Sequence, residues 1–265
     1  MVPFKKLTAH TMRLKATRVN GNFSALLRAK INTDMQNETI IISVGGSMIV
    51  PGEIDTTFLS SFKALIEKEI DHNGRSFVII AGGGKTARKY MDAARAVADL
   101  TPDDVDWLGI HATRLNGHLL RAIFRDHAHP VMITNPDDIL DLKKDTSLII
   151  AAGYRPGAST DLRAVQIAHR RGATKVINLS NIDHVYTADP KKDPSATPIE
   201  TISWGDFRKL IPAEWDPGLS SPFDPVAARE AEAHGIEVAI INGSKLDELA
   251  HCIEGKAFVG TRIHT

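Results

Sequence analysis

FVIIAGGGKTARKY, residues 77–90, combines three kinds of local sequence in one short stretch. Five apolar residues come first, a run of three glycines follows, and the remainder suits a helix. An apolar run that is continuous rather than alternating is typical of a strand buried on both faces of a parallel sheet. Glycines after such a strand allow a sharp turn into a helix. The stretch therefore predicts a strand–turn–helix unit of an α/β protein.

The same unit recurs along the chain. Continuous apolar runs, which we predict as strands, occupy 39–44, 77–81, 130–134, 147–152, 175–179 and 237–242. Helix-length segments occupy 58–70, 85–100, 116–128, 161–172 and 223–235. This alternation predicts an α/β fold with helices on both faces of an open, mostly parallel sheet. In such folds ligands bind at the carboxyl ends of the strands, where glycine-rich loops lead into helices.

The composition is that of a globular chain. It has 265 residues, of which 43% are hydrophobic and 24% charged, enough for a sizeable core. No apolar run is long enough to span a membrane, so we expect no membrane partner. The single cysteine, Cys252, rules out an intrachain disulfide and fits a reducing compartment, so we expect a cytoplasmic protein.

The charge is unevenly distributed although the formal net charge is zero. Residues 1–33 carry seven Lys or Arg and no acidic residue, while the rest of the chain has 25 basic against 32 acidic residues. Such an arm can be a transit peptide, an arm that contacts nucleic acid or a subunit, or a plain extension. Because the charges are spread out rather than clustered, we favour the extension and do not expect a nucleic acid partner.

The glycine run at 82–84 does not match the standard phosphate-loop motifs. A Walker A loop needs a glycine where this chain has Ile79, and the spacing of a dinucleotide fingerprint is also absent. The backbone amides, the helix start and the nearby Lys85 and Arg88 nevertheless suit an anion. The same turn can also serve close packing of a helix on a strand, and both interpretations stay open.

Two further strand ends carry loops of the same kind. VGGSM (44–48) follows the first predicted strand, and AAGYRPGASTD (151–161) follows the fourth. Ser159 and Thr160 in the second loop can donate to an anion or cap the next helix. Three such loops at strand ends favour a site for a polyanion, in which two phosphorylated ligands face each other.

NLSNIDHVYTADPKKDPSA (178–196) resembles the nucleotide-binding segment of the amino acid kinase family, and within it the archaeal-type uridylate kinases. The resemblance runs from about residue 38 to 265 and includes IISVGGSMIVP, VIIAGGGKTARKYMDAA, RPGASTD, SSPFDPVAA and the C-terminal GTRI. The VYTADPKKDP stretch is highly specific, whereas the glycine loops alone are not.

The resemblance implies a three-layer α/β/α sandwich for residues 38–265. The basic N-terminal extension at 1–37 has no counterpart in the usual compact enzymes of this kind. An acceptor lobe would cover about 38–172 and an ATP lobe about 173–265. Similar proteins form homo-oligomers, usually hexamers. The implied reaction transfers the γ-phosphoryl group of ATP to UMP, and Mg²⁺ would be bound with ATP. Because a monophosphate is itself a nucleophile, we expect no catalytic base. Mg²⁺ would sit mostly on phosphates and waters, so we do not expect a full set of protein carboxylates that hold the metal.

The resemblance also implies roles for individual residues. The implied ATP-binding residues are Gly46, Ser47, Gly84, Ser180, Asn181, Tyr186, Asp189 and Lys192. The implied UMP-binding residues are Gly83, Arg88, Asp106, Tyr154, Arg155, Pro156, Gly157, Ala158, Ser159 and Thr160. Arg88 would hold the UMP phosphate and Asp106 the ribose hydroxyls. The implied catalytic residues are Lys85, Arg88 and Asp161.

Some positions depart from the family pattern. Ser43 and Ser221 stand where many members have lysine, which leaves Lys85 and Lys192 as candidate cations; Lys192 can equally belong to a solvated face. The archaeal-type enzymes also lack both lysines. The loop at 154–158 differs from the Thr-His-Pro-Gly-His start expected of those enzymes, and Arg155 adds a charge there. A kinase for another small phosphate or carboxylate, or a non-catalytic nucleotide- or oxyanion-binding protein akin to molybdate-storing relatives, therefore stays open.

Overall fold

A computed structural model describes residues 39–143, 146–157, 159–216 and 221–265. The predicted basic extension at 1–37 and the candidate residue Ala158 lie outside the described residues. Among the residues described, no helix combines the length and apolar character that crossing a membrane requires.

Nine strands and eight α-helices are present in these ranges. The strands are β1 Thr39–Val44, β2 Ser76–Ala81, β3 Leu148–Ala151, β4 Lys175–Ser180, β5 Val185–Tyr186, β6 Pro198–Ile199, β7 Thr201–Ser203, β8 Glu237–Asn242 and β9 Thr261–His264. The helices are α1 Gly46–Ile49, α2 Thr56–Asn73, α3 Gly84–Arg95, α4 Pro102–Ile123, α5 Thr160–Arg171, α6 Trp204–Leu210, α7 Pro225–Ala233 and α8 Leu246–Ile253, with a 3₁₀ helix at Pro136–Asp141.

Seven of the strands form one sheet in the order β3-β2-β1-β4-β8-β9-β7. Neighbouring strands are parallel, except that β9 runs antiparallel to β8. The short strands β5 and β6 pair separately as an antiparallel hairpin. The mostly parallel sheet predicted from the apolar runs is thereby confirmed.

The sheet is covered on both faces, which explains why its strands are apolar throughout. Ile41 of β1 packs in a core with residues of α5, α6 and α7. Ile42 points to the other face, where it packs with residues of α2, α4 and α8. Because successive side chains of a strand point to opposite faces, each core needs its own apolar residues from the same strand. The predicted three-layer α/β/α architecture is confirmed.

Helix α4 is longer than the predicted helix at 116–128. It begins after Thr101, which forms a capping box with Asp104, and Pro102 is its first residue. The Asn116-Gly117 pair resembles a helix start but lies inside the helix. A Cβ atom at Gly117 would lie 2.5 Å from the sulfur of Met132, so a side chain there would require Met132 to move.

The predicted strand at 130–134 was wrong. The chain runs beside β3 here but makes only two isolated bridges, Ala128 to Leu148 just before this segment and Ile133 to Ala151 within it. Pro130 has no backbone N–H, so it interrupts the ladder that a continuous strand would form. The segment therefore borders the sheet without extending it.

The strand order creates a topological switch between β1 and β4. From β1 the chain proceeds to β2 and β3 on one side, and then returns to place β4 on the other side of β1. The loops that follow β1 and β4 consequently diverge at their carboxyl ends. In open α/β sheets this divergence opens a crevice in which ligands bind.

Candidate active site

A cavity of about 320 Å³ lies at this switch point. Its wall includes these predicted site residues: Gly46, Ser47, Gly83, Gly84, Arg88, Asp106, Ser159, Thr160, Asp161, Ser180 and Asn181. The predicted residues that do not line it are Lys85, Tyr154, Arg155, Pro156, Gly157, Tyr186, Asp189 and Lys192. The loops after β1, β2, β3 and β4 all reach the cavity.

The glycine loops after β1 and β2 pack directly on each other. A Cβ atom on Gly46 would overlap the backbone nitrogen of Gly84, and one on Gly82 would overlap the backbone of Gly46. Gly84 also has a φ of 64°, in the left-handed region that favours glycine. Close packing and lining of the cavity are therefore both functions of these glycines, so the two interpretations of the glycine run are compatible.

Side chains and backbone from outside the loop hold the second glycine loop in place. The buried amide of Asn116 donates to the carbonyl oxygens of Gly82, at 2.8 Å, and of Gly83, at 3.2 Å. The backbone N–H of Lys85 donates to the carbonyl of Val50 at 2.9 Å. Arg88 lies in the first turns of α3 with an exposed side chain at the cavity wall. A cation at a helix start beside glycine amides suits a phosphate group.

Asp161 lies at the base of the cavity, in the first turn of α5. Its Oδ1 accepts hydrogen bonds from Ser43 Oγ at 3.0 Å and from Asn178 Nδ2 at 2.8 Å. Each donor has apolar neighbours in its strand, Ile42 and Val44 beside Ser43 and Ile177 and Leu179 beside Asn178. A polar residue between apolar residues of a predicted strand is visible in the sequence. This signal was not used to predict Asn178 as a site residue.

Burial first, and then the nearby negative charge of Asp224, raise the pKa of the Asp161 carboxyl to about 7, although the hydrogen bonds to the carboxyl act in the opposite direction. The charged form loses hydration when it leaves water, and a second negative charge nearby disfavours it again. Ser43 contributes a hydroxyl but no positive charge. The carboxyl therefore keeps its proton to a higher pH than an ordinary aspartate does.

Helix α4 holds the start of the loop after β3. Thr113 Oγ1 accepts from the backbone N–H of Gly153 at 2.9 Å. Arg114 donates to the carbonyl oxygens of Gly153, at 3.1 Å, and Tyr154, at 2.9 Å. Neither side chain was among the predicted site residues, because their role depends on a contact with a loop about 40 residues away.

The charged side chain of Arg155 does not lie on the cavity wall. Its guanidinium lies 5.5 Å from the centre of the Tyr154 ring, and the guanidinium of Arg163 lies 5.6 Å from the same ring. Arg163 is buried, and desolvation lowers its pKa. Tyr154 thus interacts with two cations, in a geometry typical of cation–π contacts.

The end of the same loop is anchored to two helices. Ser159 Oγ accepts from the backbone N–H of Asp161 at 3.1 Å, so its predicted alternative role as the cap of α5 is confirmed. The backbone N–H of Ser159 donates to Asp224 Oδ2 at 2.7 Å, and Asp224 also caps α7. The loop that follows β3 is therefore held by α4 at its start and by α7 at its end.

The remaining predicted residues lie in exposed or half-buried positions. Lys85 is exposed on α3. Lys192 is exposed in the loop between β5 and β6, where its Nζ lies 3.9 Å from Asp189 Oδ2. Tyr186 is half-buried in β5. Among the described residues, no group of three or more His, Cys, Asp or Glu side chains is arranged to hold a metal ion.

The arrangement suits two phosphorylated ligands. Glycine amides from two loops, a guanidinium and a carboxyl with a raised pKa face one cavity. Asp106 adds a carboxylate at one end, and Ser180 and Asn181 add polar groups at the end of β4. Backbone amides and cations neutralise a transferring phosphoryl group, and carboxylates accept hydrogen bonds from sugar hydroxyls.

The chain is similar to proteins named uridylate kinase. It is 33% identical over 228 residues to the one from Methanospirillum hungatei, a match that covers 85% of this chain and 94% of that protein. It is 32% identical over 222 residues to the one from Hyperthermus butylicus, a match that covers 84% and 96% respectively.

The fold is likewise similar to that of a solved structure. The crystal structure of uridylate kinase from Archaeoglobus fulgidus superimposes with a TM-score of 0.70 and 27% sequence identity, over 85% of this chain and 99% of that one. Residues 38–242 also match the sequence model of the amino acid kinase family. From its sequence and its fold, this chain belongs to the amino acid kinase family.

Proposed function

We propose that this protein transfers the γ-phosphoryl group of ATP to UMP and releases ADP and UDP. The observation that carries the proposal is the cavity at the switch point, in which glycine loops, Arg88, Asp106 and Asp161 converge. The relatives named uridylate kinase, which match over most of their length, support the choice of acceptor.

In this proposal an oxygen of the UMP phosphate attacks the γ-phosphorus of ATP. The bond between that phosphorus and the oxygen bridging it to the β-phosphate breaks, and ADP leaves. A monophosphate is already ionised near neutral pH, so the protein does not need to remove a proton. Positioning and charge neutralisation then carry the rate, and the chain's own groups supply both.

The cavity residues would divide these tasks. The backbone of Gly46, Ser47 and Gly84 would contact the phosphates of ATP. Arg88 would form a forked pair with the UMP phosphate, because its guanidinium matches phosphate oxygens. Asp106 would accept hydrogen bonds from the ribose hydroxyls. Asp161 would position the groups around the transferring phosphoryl.

Lys85 and Lys192 remain proposed cations for the transferring group. Both side chains are exposed, and their long, flexible stems reach several ångströms from the backbone. Ser180 and Asn181, with Tyr186 and Asp189, would complete the ATP side. A homo-oligomer, with a hexamer favoured, and a cytoplasmic location also stay predictions.

Mg²⁺ fits this site mainly as an ion that is bound by the phosphates of the nucleotide. Asp106 and Asp161 are the carboxylates on the cavity wall among the described residues, and Asp161 already accepts two hydrogen bonds through Oδ1. Mg²⁺ often keeps several waters and is held by phosphates with one or two carboxylates. It would supply charge neutralisation of the transferring phosphoryl group.

The test measures ADP release from Mg·ATP with a panel of acceptors: UMP, CMP, dUMP, AMP, GMP and N-acetylglutamate. We expect turnover with UMP. Arg88→Ala should lower kcat/KM for UMP by at least about tenfold, because a charge-assisted contact to phosphate is lost. Lys89→Ala is the matched control, since Lys89 pairs with Glu53 at 3.0 Å and does not line the cavity.

The other outcomes identify the alternatives. Turnover with an acceptor other than UMP would make the protein a kinase for another small phosphate or carboxylate. Binding of ATP without turnover on any acceptor would contradict the proposal and favour a nucleotide- or oxyanion-binding function.

A further inference from the structure

Trp215 occupies an unusual position for an aromatic residue of an exposed loop. Its neighbours Glu214 and Asp216 are exposed, whereas Trp215 is half-buried and lines the cavity. The loop is anchored by Arg229, which donates to the carbonyl of Ala213 at 2.7 Å. The indole is therefore directed to the site by a supported backbone.

The orientation of the indole is set by a hydrogen bond. Trp215 Nε1 donates to Asp106 Oδ2 at 3.3 Å. The same oxygen accepts from the backbone N–H of Gly157 at 2.8 Å. Asp106 itself is only 7% exposed. Through these two hydrogen bonds its carboxylate joins α4, the loop after β3 and the loop of Trp215 at one end of the cavity.

The surroundings of the indole suit a flat, partly apolar group. Met91 and Ile110 line the same cavity with their apolar side chains, while Asp106 supplies the polar group beside them. A nucleobase has this character, because it presents a π-face to an aromatic ring and polar atoms at its edge. Arg88 also lines this cavity and would take the phosphate of the same ligand.

We propose that Trp215 is a specificity-determining residue of the acceptor site, whose indole stacks on the base of the acceptor nucleotide. This inference rests on the proposed function for the identity of the acceptor. The Nε1 hydrogen bond to Asp106 fixes the ring plane, and the ring face supplies the contact. A nucleotide acceptor would then be favoured over small acceptors that have no planar ring.

The test compares Trp215→Leu, which removes the ring, with Trp215→Phe, which keeps a ring but removes the N–H. Equilibrium affinities for UMP and for ATP are measured by calorimetry on the full chain. We expect Trp215→Leu to weaken UMP binding by about tenfold, as loss of base–aromatic stacking does. Trp215→Phe loses the orienting hydrogen bond but keeps an aromatic face, so it should lose less UMP affinity than Trp215→Leu, and ATP affinity should stay within about twofold in both.

Tyr90→Leu is the matched control, because Tyr90 is 64% exposed on α3 and does not line the cavity. Its UMP affinity should equal that of the unchanged protein. In the unchanged protein, UMP should also change the fluorescence of the Trp215 indole. Trp215→Phe should abolish this change.

Four results would overturn the inference. The first is unchanged UMP affinity in Trp215→Leu, and the second is an equal loss of UMP affinity in Trp215→Leu and Trp215→Phe. The third is a loss of ATP affinity in Trp215→Leu as large as its loss of UMP affinity, and the fourth is absence of UMP binding to the unchanged protein. If UMP binds but is not phosphorylated, the proposed function fails, while these affinities still decide the role of Trp215.

Discussion

The pKa of Asp161 depends on the absence of a positive charge at position 43. Ser43 and Asn178 donate to its carboxyl, and Asp224 lies near enough to raise its pKa. A lysine in place of Ser43 would neutralise this carboxyl, but the chain has a hydroxyl there. The raised pKa follows from burial without a compensating cation.

The raised pKa predicts a pH-dependent stability. A carboxyl with a folded-state pKa of about 7 binds its proton more tightly in the folded protein than in the unfolded chain, where the ordinary value is 3.8. Its stabilising contribution is therefore fully present below about pH 4 and is lost as the pH rises through 7. Relative to Asp161→Asn, which cannot ionise, the unchanged protein should lose stability between pH 4 and pH 8.

The loss has an upper bound of about 4 kcal/mol, since each pKa unit corresponds to about 1.4 kcal/mol and solvent screening reduces the effect at this half-buried site. Urea denaturation of both proteins across this range measures it. The difference at pH 4 reports the changed hydrogen bonding of the amide. A difference that stays constant from pH 4 to pH 8 would contradict the raised pKa.

Helix α4 organises much of the proposed acceptor side. It contributes Asp106, Thr113, Arg114 and Asn116, which contact the loops after β2 and β3. These side chains are spread over about three turns, so the position of the whole helix decides where the two loops lie. Its start is defined by Thr101, whose hydroxyl accepts from the backbone N–H of Asp104 at 3.2 Å.

Removal of this cap should destabilise the protein. Thr101→Ala leaves the first-turn amide of Asp104 without its side-chain acceptor, so we expect a loss of about 1 kcal/mol in the free energy of unfolding. Thr101→Ser, which keeps the hydroxyl, should lose much less. Urea denaturation at neutral pH compares the three proteins, and equal stability of Thr101→Ala and the unchanged protein would show that the capping box is not stabilising.

At the scale of the molecule, one sheet joins both halves of the family domain. Strands β1, β2 and β3 fall in the predicted acceptor lobe, and β4, β7, β8 and β9 fall in the predicted ATP lobe. The cavity lies where β1 and β4 are adjacent, so it receives loops from both parts. We keep 38–265 as the proposed domain and 1–37 as a proposed extension.

Deletion of residues 1–37 tests this division. Every residue assigned to the cavity lies in the part of the chain from 39 onwards, and the family match begins at residue 38. We therefore expect the shortened chain to fold cooperatively and to keep kcat/KM for UMP within about threefold, because no proposed contact to either ligand is removed. Thermal unfolding and the ADP-release assay measure both properties. Loss of either one would assign the first 37 residues to the functional unit.

Most of the local structure was predictable because its signals are local. Continuous Val and Ile runs predicted β1, β2, β3, β4 and β8. The short strands β5, β6 and β7 and the helices α6 and α8 were not predicted, because each is too brief for a periodic pattern to emerge. The NLSNIDHVYTADPKKDPSA motif was enough to identify the family, because it is long and specific.

The sequence by itself therefore determined the fold class, the family and the glycine loops, all of which depend on neighbouring residues. Only the tertiary structure decided which distant groups meet. Ser43 reaches Asp161 across 118 positions, and Trp215 reaches Asp106 across 109. Such contacts depend on the order of strands in the sheet and on the packing of α4 and α5, which no local pattern encodes. The acid–base state of Asp161 and the proposed role of Trp215 follow from those contacts.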